Sequence, residues 1–569
     1  MIEKMTKYSF VLLDAGKEDF LSRLQELGLV DITRSDKPVN ERTAALLDSI
    51  EARKKRIGEI ESGSDATLKG LKDHLAVLEK EAADLKAWGS WDRAALAETG
   101  VKLHFYSIPS KKYDTGWEAS YAVFVVDNDG RTRRFVIAGD NAGFPIKELP
   151  EPVRNYSDAE ADVKAAAEEV KAYADGLEAA KADLPAMQKE LAGLQEDFSR
   201  ALASAAAEGA AENLLAVFEG FSPIENDTEL EKRLDAMDVV WFKDKATLED
   251  DPPISFRNNR FVKMFELLTD MYGRPAYNGF DPTPFIAVFF MLFFAFCMGD
   301  AGYGLLLIAL GFGLKKVLGD ISPLVITLGV ATTAIGFLFH TFFSIDIAQW
   351  QMFEPIKGIF LPSKIAGYDG TMVLSLVVGI VHICIAMVVK TCVATRQKGF
   401  FGSLGTWGWT LLIVGGVIVG AFALLGVIDK SLTKIIIIVL GIVSALGIFL
   451  FNDIHRNPLL NIGSGLWDTY NAITGLLGDV LSYLRLYALG LAGMMLGSSF
   501  NTIGLTLLGD GSSPVMWVFF ILLVIVGHTL NIAMAALGAF VHPLRLNFLE
   551  FFKNSGYEAT GRNFNPLKK

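Results

Sequence analysis

Cysteine is nearly absent from this chain: Cys297, Cys384 and Cys392 are the only thiols in 569 residues, and all lie in or beside apolar runs. Their spacing fits neither a disulfide framework nor a metal site, so inert buried thiols are the expectation. A GxxxxGK[ST] phosphate loop is also missing, and ATP chemistry is therefore not expected of this chain. The first residues, MIEKMTKYSFVLL, lack the long apolar core and small-residue cleavage site of a signal peptide. The first half is expected to stay in the cytoplasm. The second half lacks charge. Residues 281–569 hold 13 acidic and 16 basic side chains, which leaves 52 acidic and 37 basic in residues 1–280. A soluble half of net −15 thus precedes an apolar half of net +3, the composition of a soluble domain fused to a membrane domain. The acidic balance argues against nucleic acid as a partner.

In the soluble half, residues 1–35 read as a short α/β unit. A helical pattern follows from about Asn40 to Trp88. Within it, Leu68, Leu71, Leu75, Leu78, Ala82 and Leu85 recur in steps of three and four, a heptad seam. Ser62–Asp65 interrupts the pattern, with Asp65 placed to cap the restart. Lys102–Ile108, Tyr121–Val126 and Arg133–Ile137 are strand-like, and Asp127–Gly130 is a hairpin turn between the last two. A second heptad run follows, through Val170, Tyr173, Leu177, Ala180, Leu184, Met187, Leu191, Leu194 and Phe198. Pro185 is expected to kink it. Two heptad helices around a small lobe fold most simply as an antiparallel coiled-coil hairpin with the lobe at its tip; a compact helical bundle is the alternative. The expected plan has a proximal α/β lobe from residues 1–35 and 213–275. The hairpin takes 40–96 and 157–212, and the distal α/β lobe 97–156. Together residues 1–275 form the cytoplasmic part, and 276–569 an all-α membrane domain.

Eight apolar segments follow, at about 283–299, 302–314, 322–343, 372–394, 404–427, 432–452, 466–500 and 514–552. The first two meet at Gly299–Gly304 and are expected to form a short helical hairpin with a polar tip. Eight crossings from a cytoplasmic N-terminus return the C-terminus to the cytoplasm. The cations agree with the positive-inside rule. Lys315, Lys316, Lys390, Arg396, Lys398, Arg456, Lys553, Arg562, Lys568 and Lys569 fall inside, against Lys357, Lys364, Lys430 and Lys434 outside. The last two segments exceed the ~20 residues of a perpendicular span, so both helices are expected to be long and tilted.

The seventh segment contains GDVLSYLRLYALGLAGMMLG, in which Arg485 is the only cation. A guanidinium cannot shed its proton, and one placed mid-membrane costs roughly 2.5–3.5 kcal/mol on insertion scales. Such a residue either snorkels or neutralises a buried acid, here Asp479, or else it does work facing protein or water. Ala488, Gly490, Ala492, Gly493 and Gly497 leave its flank open to close approach by a partner. In the last segment His528, Asn531, Ala535, Gly538, His542 and Arg545 share one helical face at spacings of three and four. Two intramembrane arginines on consecutive helices, each with a polar or small-residue face, point to an ion path.

Four motifs give the whole chain a resemblance to the a subunit, called I in bacteria, of the rotary V-type and A-type ATPases. They are MYGRPAYNGFDPTP at Met271–Pro284, GDAGYG at Gly299–Gly304, LSYLRLYALGLAG at Leu481–Gly493 and FVHPLRLNFLEFF at Phe540–Phe552. The resemblance implies a stator whose soluble part anchors peripheral stalks of E/G type. It implies a membrane part that faces a rotating ring of lipid-embedded c/K-type subunits carrying H⁺ or Na⁺. A central-stalk membrane cap and, indirectly, an ATP-binding headpiece are the other implied partners, and no cofactor is implied. Arg485 matches the family's essential arginine and Arg545 the second one. The acidic residue that eukaryotic relatives carry ten positions before the second arginine is Ala535 here, and a histidine eight positions after the first is Gly493. Their outer half-channel therefore does not transfer. His528, Asn531 and His542 are candidates from helical position, with Asp479, Ser482 and Glu550 on the cytoplasmic side. For Asp479 and Glu550, capping and charge balance at helix ends is the competing reading. Asp300 is expected to serve the polar tip structurally, and His382 to be a packed, hydrogen-bonded histidine. From another functional class, a secondary transporter with a regulatory hairpin would require an internal repeat around a midplane site. A purely structural tether would leave the arginines unexplained.

Overall fold

The computed structural model describes residues 1–34, 40–62, 65–152, 154–210, 214–365, 367–450, 458–509 and 514–568. The chain is mostly helical with small sheets, and it divides into two compact units. One comprises Met1–Val11, Leu29–Ile32 and Glu219–Pro566; the other comprises Leu12–Gly28, Thr33–Phe218 and Leu567–Lys569.

In the second unit, α1 (Lys17–Leu27) ends at Gly28, whose φ of 63° suits the left-handed helix stop. The heptad stretches become four helices. α2 (Glu41–Ser62) is followed by α3 (Ala66–Lys86), which Asp65 caps by accepting the Leu68 N–H at 2.6 Å. Residues 63–64, between them, lie outside the described residues. The later stretch splits at a 3-10 turn, Lys181–Asp183, into α4 (Tyr156–Ala180) and α5 (Leu184–Ala205). Pro185 therefore breaks the helix instead of kinking it. It occupies the first turn of α5, where its missing N–H has no helical partner to lose.

α2 packs on α5 and α3 on α4. The pairs run antiparallel: Arg53 meets Glu190 at 2.6 Å, Glu61 meets Gln188 at 3.2 Å, and Asp65 accepts from Tyr173 at 2.6 Å. Leu68 and Leu177 are buried at this seam, with Val170, Tyr173, Leu184 and Met187 packed around them. These are the heptad positions, and packing them removes their apolar surface from water. The lobe between α3 and α4 is an antiparallel sheet in the order Leu103–Pro109, Thr132–Ala138, Val123–Asn128. Its turn is pinned by Asp129, which accepts the Arg131 and Thr132 N–H groups.

In the other unit, Thr6–Val11 pairs antiparallel with Val240–Lys245, Thr6 lying opposite Lys245, and Asp31 and Ile32 pair with Phe221 and Gly220. Among the described residues, six helices are long and apolar enough to cross a membrane. Two shorter apolar helices, α6 (Thr283–Met298) and α7 (Ala301–Gly313), precede all of them. The rest are α8 (Ser322–Leu338), α9 (Gly370–Gly402), α10 (Leu404–Leu424), α11 (Lys430–Ala445), α12 (Pro458–Leu508) and α13 (Pro514–Arg545).

Helix α6 is apolar all round, and it is buried accordingly: Ile286, Ala287, Phe290 and Phe293 are fully enclosed. It packs against α8, α12 and α13. The expected α6–α7 hairpin does not form. The two helices part at Gly299–Asp300, and α8 packs against both. Glycines cause this. A Cβ on Gly304 would collide with Thr333, so α7 lies directly on α8. Beyond Arg545, α13 widens into a π-turn at Leu546–Phe551, one turn after Pro543 removes a backbone donor.

Candidate functional site

Arg485 projects from α12 between two anchors, Tyr483 and Leu486, which are 0% and 1% exposed. Tyr483 meets His382 Nδ1 at 2.9 Å, and the His382 ring lies flat on Phe551 at 4.8 Å. His382 is thus a packed histidine that fixes the rotation of α12 beside the arginine. Arg485 Nη1 is buried and has no partner among the described residues. Asp479, six residues earlier, is not its counter-ion. It binds Lys553 Nζ at 3.1 and 3.2 Å and accepts from Asn554 Nδ2 at 2.7 Å. A cation with a free, buried donor is costly unless something else meets it.

Across from Arg485, α13 brings His542 within electrostatic reach of both Arg485 and Arg545. His542 Nδ1 is buried without a partner among the described residues, whereas Arg545 is exposed. Two polar clusters flank this centre along the α12–α13 interface. The charged one holds Asp479, Lys553 and Asn554, together with Glu550, which is 4% exposed. Glu550 Oε2 has no partner among the described residues, and Ser482 stands beside the carboxyl while donating to Gly478 O at 3.1 Å.

The neutral cluster lies towards the other ends of the helices. His528 Nδ1 meets the Tyr303 hydroxyl at 2.7 Å, and its Nε2 meets Asn501 Oδ1 at 2.9 Å. Asn531 Nδ2 donates to Tyr303 Oη and to Gly493 O, each at 2.8 Å. Asn501 Nδ2 donates to Phe343 O at 2.9 Å. The structure thus joins His528 and Asn531, but to Tyr303, Asn501 and the loop after α8 instead of to His542.

Asp300 supports this cluster from below. Its carboxylate accepts four backbone N–H groups, from Gly302, Tyr303, Phe343 and Ser344. It therefore caps α7 and holds Phe343 and Ser344, whose φ angles of 48° and 59° side chains rarely adopt. The small residues of α12 serve this packing too. A Cβ on Gly490 would press on Phe296 O, and one on Gly497 would strike Ser344 and Asn531. Gly490 and Gly497 are thus covered by the chain itself, whereas Ala488 and Ala492 are exposed and a Cβ on Gly493 would meet nothing within 4 Å. Sequence reasoning missed Tyr303 and Asn501 as site residues. The only signal was Tyr303's place in the GDAGYG motif.

Residues 207–318 and 468–569 match the model of the V-type ATPase 116kDa subunit family. The chain is 30% identical over 374 residues to the A-type ATP synthase subunit I of Methanocaldococcus jannaschii, covering 60% of this chain and 52% of that protein. It is 27% identical over 368 residues to the V-type ATP synthase subunit I of Borreliella burgdorferi, covering 62% and 59%. With the V-type ATP synthase subunit I of Chlamydia pneumoniae the identity is 23% over 586 residues, covering 88% and 84%. Over these stretches the chain is similar to subunit I of the V/A-type ATPases. It spans about half the length of the archaeal relatives it matches. Arg485, Arg545, Asp300, Tyr303 and most of both clusters fall inside the two matched segments. Ser344 and His382 fall outside them.

Proposed function

We propose that this chain is the non-catalytic stator and ion-path subunit of a rotary ATPase. Its membrane part, residues 276–569, crosses the cell membrane eight times, with both termini in the cytoplasm, and faces a ring of lipid-embedded subunits. Its cytoplasmic part, residues 1–275, uses the α2–α5 pairs as a coiled-coil hairpin between two lobes to hold peripheral stalks against torque. The central-stalk cap lies at the ring axis, and the ATP-binding headpiece is reached only through the stalks.

One observation carries this reading: a buried, uncommitted guanidinium nitrogen on Arg485 stands between two separate polar clusters. A fixed cation opposite a ring carboxylate lowers that carboxylate's pKa by roughly 1–3. The carboxylate gives up its ion before passing Arg485 and takes another after it. The charged cluster with Ser482 and Glu550 forms the cytoplasmic half-channel, and the neutral cluster with His528 and Asn531 forms the outer one. Arg485 blocks a leak between them, with Arg545 and His542 beside it. The two half-channels are displaced along α12 and α13, so an ion crosses only by riding the ring. Native electrophoresis of gently solubilised membranes, with mass spectrometry of the band, tests the assignment. ATP-binding subunits migrating with this chain are expected; the chain migrating alone contradicts it.

A further inference from the structure

The neutral cluster has a fixed hydrogen-bond polarity. Phe343 O and Gly493 O can only accept, so the amide orientations of Asn501 and Asn531 are forced. Asn501 must then accept from His528 Nε2–H, which makes Nδ1 the acceptor of the Tyr303 O–H. Tyr303 Oη receives the Asn531 N–H on its other side. One group stands ready and unused. Ser344 Oγ is buried and unpartnered among the described residues, and it lies beside the Tyr303 hydroxyl. Ser344 as a whole is 8% exposed.

We propose that this cluster is a proton-loading site of the outer half-channel, with Tyr303 and Ser344 as its switch. A proton adds to His528 Nδ1. The Tyr303 hydroxyl keeps its own hydrogen and turns it to Ser344 Oγ. Tyr303 Oη then accepts from the new Nδ1–H as well as from Asn531. One N–H bond forms as the O–H bond of the proton donor breaks, the donor being hydronium from the outer water or, when ATP drives the ring, the ring's carboxyl group. The positive charge stays on the imidazolium until the proton moves on. Imidazole is the side chain whose charge changes near neutral pH. Among the described residues facing His528, Tyr303 and Asp300 are the titratable ones, and four backbone donors hold the Asp300 carboxylate. Na⁺ fits poorly, because a hard cation calls for several oxygen ligands and the hub here is a ring nitrogen. The inference rests on the ion-path reading and adds to it the identity of the ion.

The test uses membrane vesicles carrying the whole complex, energised with ATP. Proton uptake is read with a pH-sensitive dye, and radioactive sodium uptake in parallel. Wild-type vesicles are expected to take up protons and not sodium. His528→Gln, which can keep both hydrogen bonds, is expected to assemble, to slow proton uptake at least about tenfold, and to flatten its dependence between about pH 5 and 8. Ser344→Ala is expected to shift that dependence and lower the rate a few-fold. Sodium uptake by wild type overturns the proposal whether or not the variants assemble. A wild-type rate and pH profile in His528→Gln also overturns it. Failure of the underlying reading looks different: Arg485→Ala vesicles would then pump at the wild-type rate.

Discussion

On one side of Arg485 the α12–α13 interface carries Asp479, Lys553 and Glu550; on the other it carries Tyr303, His528, Asn501 and Asn531. Among the described residues, the first group offers a carboxylate oxygen with no partner, and the second offers none, since Asp300 is saturated by backbone donors. In the charged cluster a counter-ion sets the balance, and Lys553 is 58% exposed where water can screen it. In the neutral cluster geometry sets the balance, because each amide and ring nitrogen has one workable orientation. The difference teaches that a carboxylate in this interface can serve either as a functional group or as scaffolding. What decides is whether backbone N–H groups have already claimed it.

Substitutions can sharpen that contrast. Asp300→Ala should have the largest effect, because it strands three buried backbone donors and one part-buried one, at about 1–3 kcal/mol for each buried donor before relaxation. The protein should fail to accumulate in membranes, as immunoblotting would show, and normal accumulation would remove Asp300 from its scaffolding role. Glu550→Gln should leave accumulation intact and lower ATP-driven transport about tenfold or more. Unchanged transport would make Glu550 a helix-end charge and erase the contrast. Asp479→Asn, which loosens a partly exposed ion pair, should cost about 1 kcal/mol. A lowered thermal midpoint of the purified complex with transport within a few-fold of wild type checks this.

The smallest effect should come from a carboxyl outside both clusters. Burial holds Glu266 above the ordinary carboxyl value of 4.5, even though Asn258 donates to it at 2.9 Å. The folded form therefore binds this proton more tightly than the unfolded chain does. Stability from this group rises as pH falls through the interval between the two values and is lowest above it. Glu266→Gln should raise the thermal midpoint near neutral pH and leave it unchanged below the ordinary value. The same gain at both pH values would contradict that sign.

Much of the fold was legible because it is periodic. Leu68, Val170, Tyr173 and Leu177 announced the helix pairs by their spacing, and Asp65 announced its own cap. Arg485 was legible by contrast with its apolar neighbours. Pro185 was misread because a first helical turn tolerates proline, and nothing local shows where a helix begins. The partnership of Tyr303 with His528 spans 225 residues and has no period to detect. The left-handed turn at Phe343–Ser344 carries no glycine to signal it, since the Asp300 carboxylate holds it from 43 and 44 residues away. For the same reason Asp479 looked available to Arg485, while Lys553 and Asn554 arrive from 74 and 75 residues further on.

The central claim is that Arg485 is a working barrier and not a balanced charge. Ion uptake by vesicles carrying Arg485→Ala, with assembly followed on native gels, tests it most directly. A fully assembled complex with uptake abolished is the predicted result. An assembled complex that pumps at the wild-type rate would contradict it.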